Sequence, residues 1–295
     1  MHGWLFVIIR NRFKSSGICH KSLLSFPSTR LCNLPFPIAA IMLMVCSIIL
    51  FILYTISAFY DGRPTSIIYT LCMELYHVLN RGVEKRDIVL DNRDRARFVH
   101  DLYEFNSHNP AGNAYRRFAM MDVGRPSWEP AHRSPNRLVD IHGWVLMKNH
   151  YHLLISPRTD KGLSRFIQKL NGGYAKYFNE RYQRQGALFQ GKTKRILVDT
   201  DGHFLHILHY IHLNPLDFFP DAKEWRSGSI RRSNDALEHI RTYRWSSFSD
   251  YCGRKNFPSI LQKEFFDDIF KDYERTIVNY LREIDVGLPQ EYTLE

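Results

Sequence analysis

Alternating and helical runs of apolar residues divide this chain into elements. Leu138 to Met147 is rich in β-formers, with Val139, Ile141, Val145 and Met147 at positions that predict one shared face of a strand. Lys148-Asn149 then turns the chain, and the run from His150 predicts a second strand, so the two form an antiparallel hairpin. Upstream, Met73 to Leu79 reads as a strand closed by the turn Asn80-Arg-Gly82, and Ile88-Val-Leu90 as a short strand. Asp91 caps a helix to about Phe105, in which Phe98, Val99, Leu102 and Phe105 recur at helical spacing. Thr159 and Asp160 open a helix to about Arg184, with Gly172-Gly173 expected to bend it. Its stripe includes Phe166, Leu170, Tyr174 and Tyr177, and both tyrosines read as core. Ala187 to Val198 predicts a strand, Thr200 to Asn214 a helix, and Phe266, Ile269, Tyr273, Ile277, Tyr280 and Ile284 one C-terminal amphipathic helix. This order predicts an α+β fold, an antiparallel sheet with helices packed on one face, ferredoxin-like (RRM-like) in order.

Two stretches fall outside this pattern. Residues 1–66 form an N-terminal extension, whose apolar segment 37–60 carries no charge and is long enough to span a bilayer. Lys21 and Arg30 before it and Arg63 after it give little guidance on orientation. The extension therefore reads either as a membrane anchor or as sequence ahead of the true start, with Met73 as an alternative start. Asn106 to Asn136, rich in Pro, Gly, Asn and Arg, reads as a long loop. The main domain is expected over 67–252, with a C-terminal helical tail over 253–295.

Composition narrows the partner. The 295 residues carry a net charge of +10, which favours a polyanion. Five cysteines without a Cys-x-x-Cys pair exclude a disulfide scaffold and a zinc ribbon, and fit a cytoplasmic protein.

The candidate chemistry lies in two places. His150 and His152, one residue apart in a strand, put two imidazoles on one face and offer two ligands to a metal. On the helix from Thr200, Phe204, Ile207, Leu208 and Ile211 fall on a core arc, with Leu205 at its edge. His203, His206, Tyr210 and Asn214 fall on a neighbouring arc. That arc offers a tyrosine, Tyr210, with a metal-capable amide one turn below. Two neutral imidazoles and an amide oxygen suit a divalent cation, Mg²⁺ or Mn²⁺, that keeps its charge for phosphate. Asn214 is the expected third ligand. His206 as the ligand, or no third protein ligand, stays open. Lys192, Lys194 and Arg195 lead directly to the Tyr210 helix and are placed to contact phosphates, as His77 and Arg81 could from the first strand. Arg226, Arg231 and Arg232 lie in the loop after Pro215.

A strand His-x-His followed by a helical Tyr-x-x-x-Asn-Pro resembles the HUH single-strand DNA transposases with one catalytic tyrosine, and more narrowly the REP-associated tyrosine transposases. Further fragments carry the resemblance: Leu75-Tyr-His-Val-Leu-Asn-Arg-Gly82, Gly186-Ala-Leu-Phe-Gln-Gly191 with the basic residues after it, and Trp245-Ser-Ser-Phe248. It extends over about residues 68–252. The resemblance implies the HUH endonuclease fold and metal-dependent cleavage and rejoining of single-stranded or hairpin DNA through a 5′-phosphotyrosine at Tyr210. It implies a nucleoid location, with a homodimer compatible. The rival expectation is a catalytically inactive module that binds single-stranded nucleic acid.

Overall fold

The computed structural model describes residues 74–110, 136–222, 225–227, 230 and 233–283. The apolar segment 37–60 and most of the Asn106 to Asn136 loop lie outside these. Leu75–Glu295 forms one compact unit. No helix among the described residues is long and apolar enough to cross a membrane.

Four strands make the sheet: β1 (Tyr76–Arg81), β2 (Val139–Leu146), β3 (His150–Pro157) and β4 (Lys194–Leu197). Their order is β2-β3-β1-β4 and every pairing is antiparallel. Helix α1 (Asn92–Glu104) follows β1 and α2 (Gly162–Arg181) follows β3, which interleaves two β-α-β units and gives the ferredoxin-like order. Asp91 caps α1 by accepting from the amides of Arg93 and Asp94 at 2.9 and 3.0 Å. One strand is lost relative to expectation: Ile88 and Val89 are buried, but their amides bond only to the Lys148 carbonyl.

Helices cover both faces of the sheet, not one. Tyr151 faces α1 and α2, its ring 5.1 Å from Phe98 and its hydroxyl donating to Asn171 Oδ1 at 2.8 Å. Tyr174 and Tyr177 belong to this layer and donate to the Ile88 carbonyl and the Asp94 carboxylate at 2.7 and 2.9 Å. Helix α2 runs unbroken through Gly172-Gly173. A Cβ on Gly173 would lie 2.3 Å from the Phe105 ring, so this glycine admits a close helix contact and makes no bend. On the opposite face lies α3 (Asp201–Leu213), capped by Thr200 Oγ1, which accepts from the His203 amide. A Cβ on Gly143 would meet Leu208 of α3 at 2.7 Å, which marks how closely that helix sits on β2.

The predicted shared face of β2 is broken by a bulge between Ile141 and Gly143. Ile141 pairs with Ile155 on the α1/α2 side, while Val145 pairs with His152 on the α3 side. The strand expected from Ala187 is regular only from Lys194. Before it, Gly186 and Gly191 adopt φ of 85° and 60°, which glycine reaches without strain. Between them Leu188 and Gln190 bond to the backbone of Val83 and Arg81, so this segment extends the edge of β1.

Past α3 the chain makes three short 3-10 turns, then α4 (Ser233–Thr242) and α5 (Phe248–Tyr251). The single C-terminal helix expected from periodicity is two, α6 (Glu264–Ile269) and α7 (Tyr273–Glu283). Two segments close the outer edge of β2. Leu146 donates to the Trp245 carbonyl at 2.9 Å, Ser247 to the Trp144 carbonyl at 3.0 Å, and Gln262 to the Ile141 carbonyl at 2.7 Å. The Trp245-Ser-Ser-Phe248 fragment is thus a sheet-edge cover. Tyr273 fastens α7 to α3: its hydroxyl lies 3.1 Å from His209 Nδ1 and 2.7 Å from His212 Nδ1, both buried.

Candidate active site

The site forms on the face of the sheet that α3 covers. In β1 and β3, directly opposed residues share a face. The pairs Arg81 with His150, Leu79 with His152 and His77 with Leu154 therefore line the α3 side. Tyr210 of α3 completes the group, with ring centroids 5.7 Å from His152 and 6.0 Å from His77. The hairpin and the distant helix thus bring the His pair and the tyrosine together within one chain.

Each histidine of the pair is held by its Nδ1. His150 Nδ1 lies 2.6 Å from Asn149 Oδ1, and Asn149 Nδ2 in turn donates to the Lys85 carbonyl. An amide oxygen only accepts, so Nδ1 of His150 carries the proton and its lone pair sits on Nε2. His152 Nδ1 lies 2.8 Å from His77 Nε2, with the two rings stacked. His152 Nε2 is buried and has no hydrogen-bond partner among the described residues. Imidazoles fixed at one nitrogen and presenting the other are arranged as metal ligands are. Burial, then the Arg81 guanidinium, lowers the pKa of His150 to about 4. Burial, then the neighbouring His150, holds that of His152 well below the usual range. Both are neutral at pH 7, the form that binds a cation.

Asn214, the first residue after α3, is fully buried. Its Nδ2 donates to the Tyr210 carbonyl at 2.8 Å, which ties the amide to the turn that carries Tyr210, and its Oδ1 accepts from Arg226 Nη2 at 3.3 Å. His206, the other candidate for third ligand, packs on Tyr280 of α7 with ring centroids 5.5 Å apart. Among the described residues no group of three His, Cys, Asp or Glu is placed to hold a metal ion. The donors present fit a divalent cation.

The expected DNA contacts divide. Arg81 is half-buried and stands across from His150. Lys194 is exposed and pairs with Leu79, so it shares the site's face, and Lys192 is exposed just before β4. Arg195 pairs with Val78 on the other face, where it donates to Ser164 Oγ at 2.9 Å. His77 is a correction: it is buried to 0 % exposure, with no surface for a strand, and sits behind His152. Burial, then the nearby His203, lowers its pKa to about 3.

Sequence reasoning missed a second layer made by the 3-10 turns. Tyr210 is only 2 % exposed, because Trp225 packs on its ring at 5.8 Å. Asp217 accepts from Trp225 Nε1 at 2.7 Å and from Arg226 through both terminal nitrogens. The Arg226 guanidinium lies 6.0 Å from the centre of the Tyr210 ring. The available signal was Asp217 three residues beyond Asn214, in a turn that Pro215 begins.

A sheet carrying paired imidazoles beside a helical tyrosine is the arrangement read above from the DNA transposases. Residues 132–214 match the family described as Transposase IS200 like, a span from just before β2 to Asn214. Over that span, which includes His150, His152 and Tyr210, the chain is similar to the IS200-like transposases, in line with the resemblance read from those residues. A solved structure described as "Structure of the REP associates tyrosine transposase bound to a REP hairpin" aligns with 65 % of this chain and 87 % of its own, at 13 % identity and a TM-score of 0.37. No curated protein matches.

Proposed function

We propose that the protein is a metal-dependent single-stranded DNA endonuclease and strand transferase that cuts and rejoins DNA through a 5′-phosphotyrosine at Tyr210, at hairpin-forming repeats. The observation that carries this reading is the 5.7 Å approach of the Tyr210 and His152 rings inside a single chain. Mg²⁺ or Mn²⁺, held by Nε2 of His150 and of His152 and by Asn214 Oδ1, would supply positive charge to the phosphate oxygens. Tyr210 Oη forms the new bond to phosphorus and gives up its proton. The bond to the 3′ oxygen breaks and that oxygen leaves as a hydroxyl. Because the phosphotyrosine conserves the bond, a 3′-hydroxyl from another strand can reverse the step without an external energy source. Arg81, Lys192 and Lys194 hold the strand by its phosphates.

Burial of Tyr210 favours one alternative, a module that binds single-stranded DNA without cutting it. Labelled hairpin DNA incubated with the protein and Mn²⁺ separates the two. A covalent adduct on a denaturing gel that disappears in Tyr210→Phe supports the transferase. Binding with no adduct supports the alternative, and an adduct that survives Tyr210→Phe removes this nucleophile.

A further inference from the structure

We infer that Arg226 is a further catalytic residue, which grips a non-bridging oxygen of the phosphate that Tyr210 attacks and is aimed there by Asp217. This deepens the transferase reading and rests on it. Three observations converge. Arg226 is the cation that reaches both ends of the nucleophile's turn: its guanidinium lies over the Tyr210 ring at 6.0 Å, and its Nη2 is 3.3 Å from Asn214 Oδ1. It is held rather than loose, since the Asp217 carboxylate takes both terminal nitrogens and Trp225 braces that carboxylate and stacks under the guanidinium at 4.4 Å. A planar guanidinium fixed in this way holds its charge where a phosphate meeting Tyr210 would lie.

Charge supplies the third. The site contains the guanidiniums of Arg81 and Arg226, the carboxylate of Asp217 and two neutral imidazoles. Two guanidiniums against one carboxylate leave an excess of positive charge before any divalent ion joins. Such an excess in a water-poor site is stabilised by an arriving anion, and most by the charge that builds up on a phosphate during transfer. A guanidinium serving only to fasten the turn would need Asp217 alone. The contact to the candidate ligand Asn214 puts it where the substrate must pass.

The test compares the full chain with Arg226→Gln and Arg226→Lys. Adduct formation on hairpin DNA with Mn²⁺ should slow by about 10²–10³-fold in Arg226→Gln, in the range for removing one oxyanion donor. Arg226→Lys, which keeps charge but loses the fork, should fall in between. Mn²⁺ affinity, read by titration calorimetry, should be unchanged or tighter in both. Inorganic phosphate affinity in the presence of Mg²⁺ should fall at least about tenfold in Arg226→Gln, as for loss of a charge-assisted contact. An adduct rate at the wild-type level, or a loss of rate matched by an equal loss of Mn²⁺ affinity and melting temperature, overturns the inference and leaves Arg226 as a brace. If the wild-type chain forms no adduct, the transferase reading fails by itself. The phosphate titration then decides Arg226: unchanged affinity in Arg226→Gln, or no phosphate binding by the wild type, overturns it.

Discussion

His77 Nε2 lies 2.8 Å from His152 Nδ1 in a fully buried, stacked pair that holds the His152 ring by one nitrogen and leaves its Nε2 without a hydrogen-bond partner among the described residues. His77 is therefore a positioning residue for a candidate ligand. Outer contacts of this kind fix the tautomer and ring orientation of a ligating histidine. His77→Leu should weaken Mn²⁺ binding by about 10–100-fold, the usual cost of losing such a partner. His77→Gln, which can keep a polar atom near Nε2, should recover part of it. Titration calorimetry with Mn²⁺ checks this, and equal affinities in both variants and the wild type would remove the role.

Tyr273→Phe deletes one hydroxyl but orphans two buried imidazole nitrogens, on His209 and His212. Leaving buried polar atoms without partners costs about 1–3 kcal/mol each, so the loss should be on the order of 2–6 kcal/mol. Urea denaturation reads it directly. A loss below about 0.5 kcal/mol, the level of an ordinary surface change, would mean that water reaches both histidines.

Adjacent glycines of α2 should respond with opposite signs. Nothing stands within 4 Å of a Cβ on Gly172, whereas one on Gly173 would press into the Phe105 ring at 2.3 Å. Gly172→Ala should stabilise by about 0.4–1 kcal/mol through the unfolded chain. Gly173→Ala should destabilise by about 1–3 kcal/mol through overpacking. Melting curves of the two variants give the comparison, and two shifts of the same sign would contradict the packing.

Stability should fall on acidification through the histidines. Burial lowers the pKa of His150 and His203 to about 4 and of His77 and His209 to about 3, against 6.5 for the ordinary group. Below pH 6.5 the unfolded chain takes up protons that the folded chain refuses until about pH 4 or 3. The folded state therefore loses about 1.4 kcal/mol per pH unit for each such histidine as the pH drops through that window. Above pH 6.5 these groups are neutral in both states and add no slope. Thermal melting from pH 7.5 to 4.5 should show the fall beginning near 6.5, and a flat profile would show that these side chains are not buried neutral.

Much of this was legible because it is periodic or local. Strict spacing fixed the two imidazoles on one strand face and the tyrosine a turn above Asn214, and Asp91 and Thr200 announced their helices as caps. What escaped depends on contacts distant in sequence. The bulge at His142 is invisible to alternation, since the composition of β2 gives no sign of an extra residue. The apolar stripe from Phe266 to Tyr280 has one period, yet the chain breaks at Phe270 so that Tyr273 can reach His209 and His212. His77 could be read as a phosphate contact because a lone strand gives no hint of what covers it. Trp225 and Arg226 sit in a loop without periodicity, and only the turns after Pro215 carry them back over Tyr210.

The backbone groups of β2 that face away from β3 are already taken, by Trp245, Ser247 and Gln262. A second copy of the chain therefore finds no open hydrogen-bonding row there on which to continue the sheet. Among the described residues, the other margin of the sheet is the four-residue β4. The imidazole pair and the phenol need no loan from a neighbour, so dilution should not separate them.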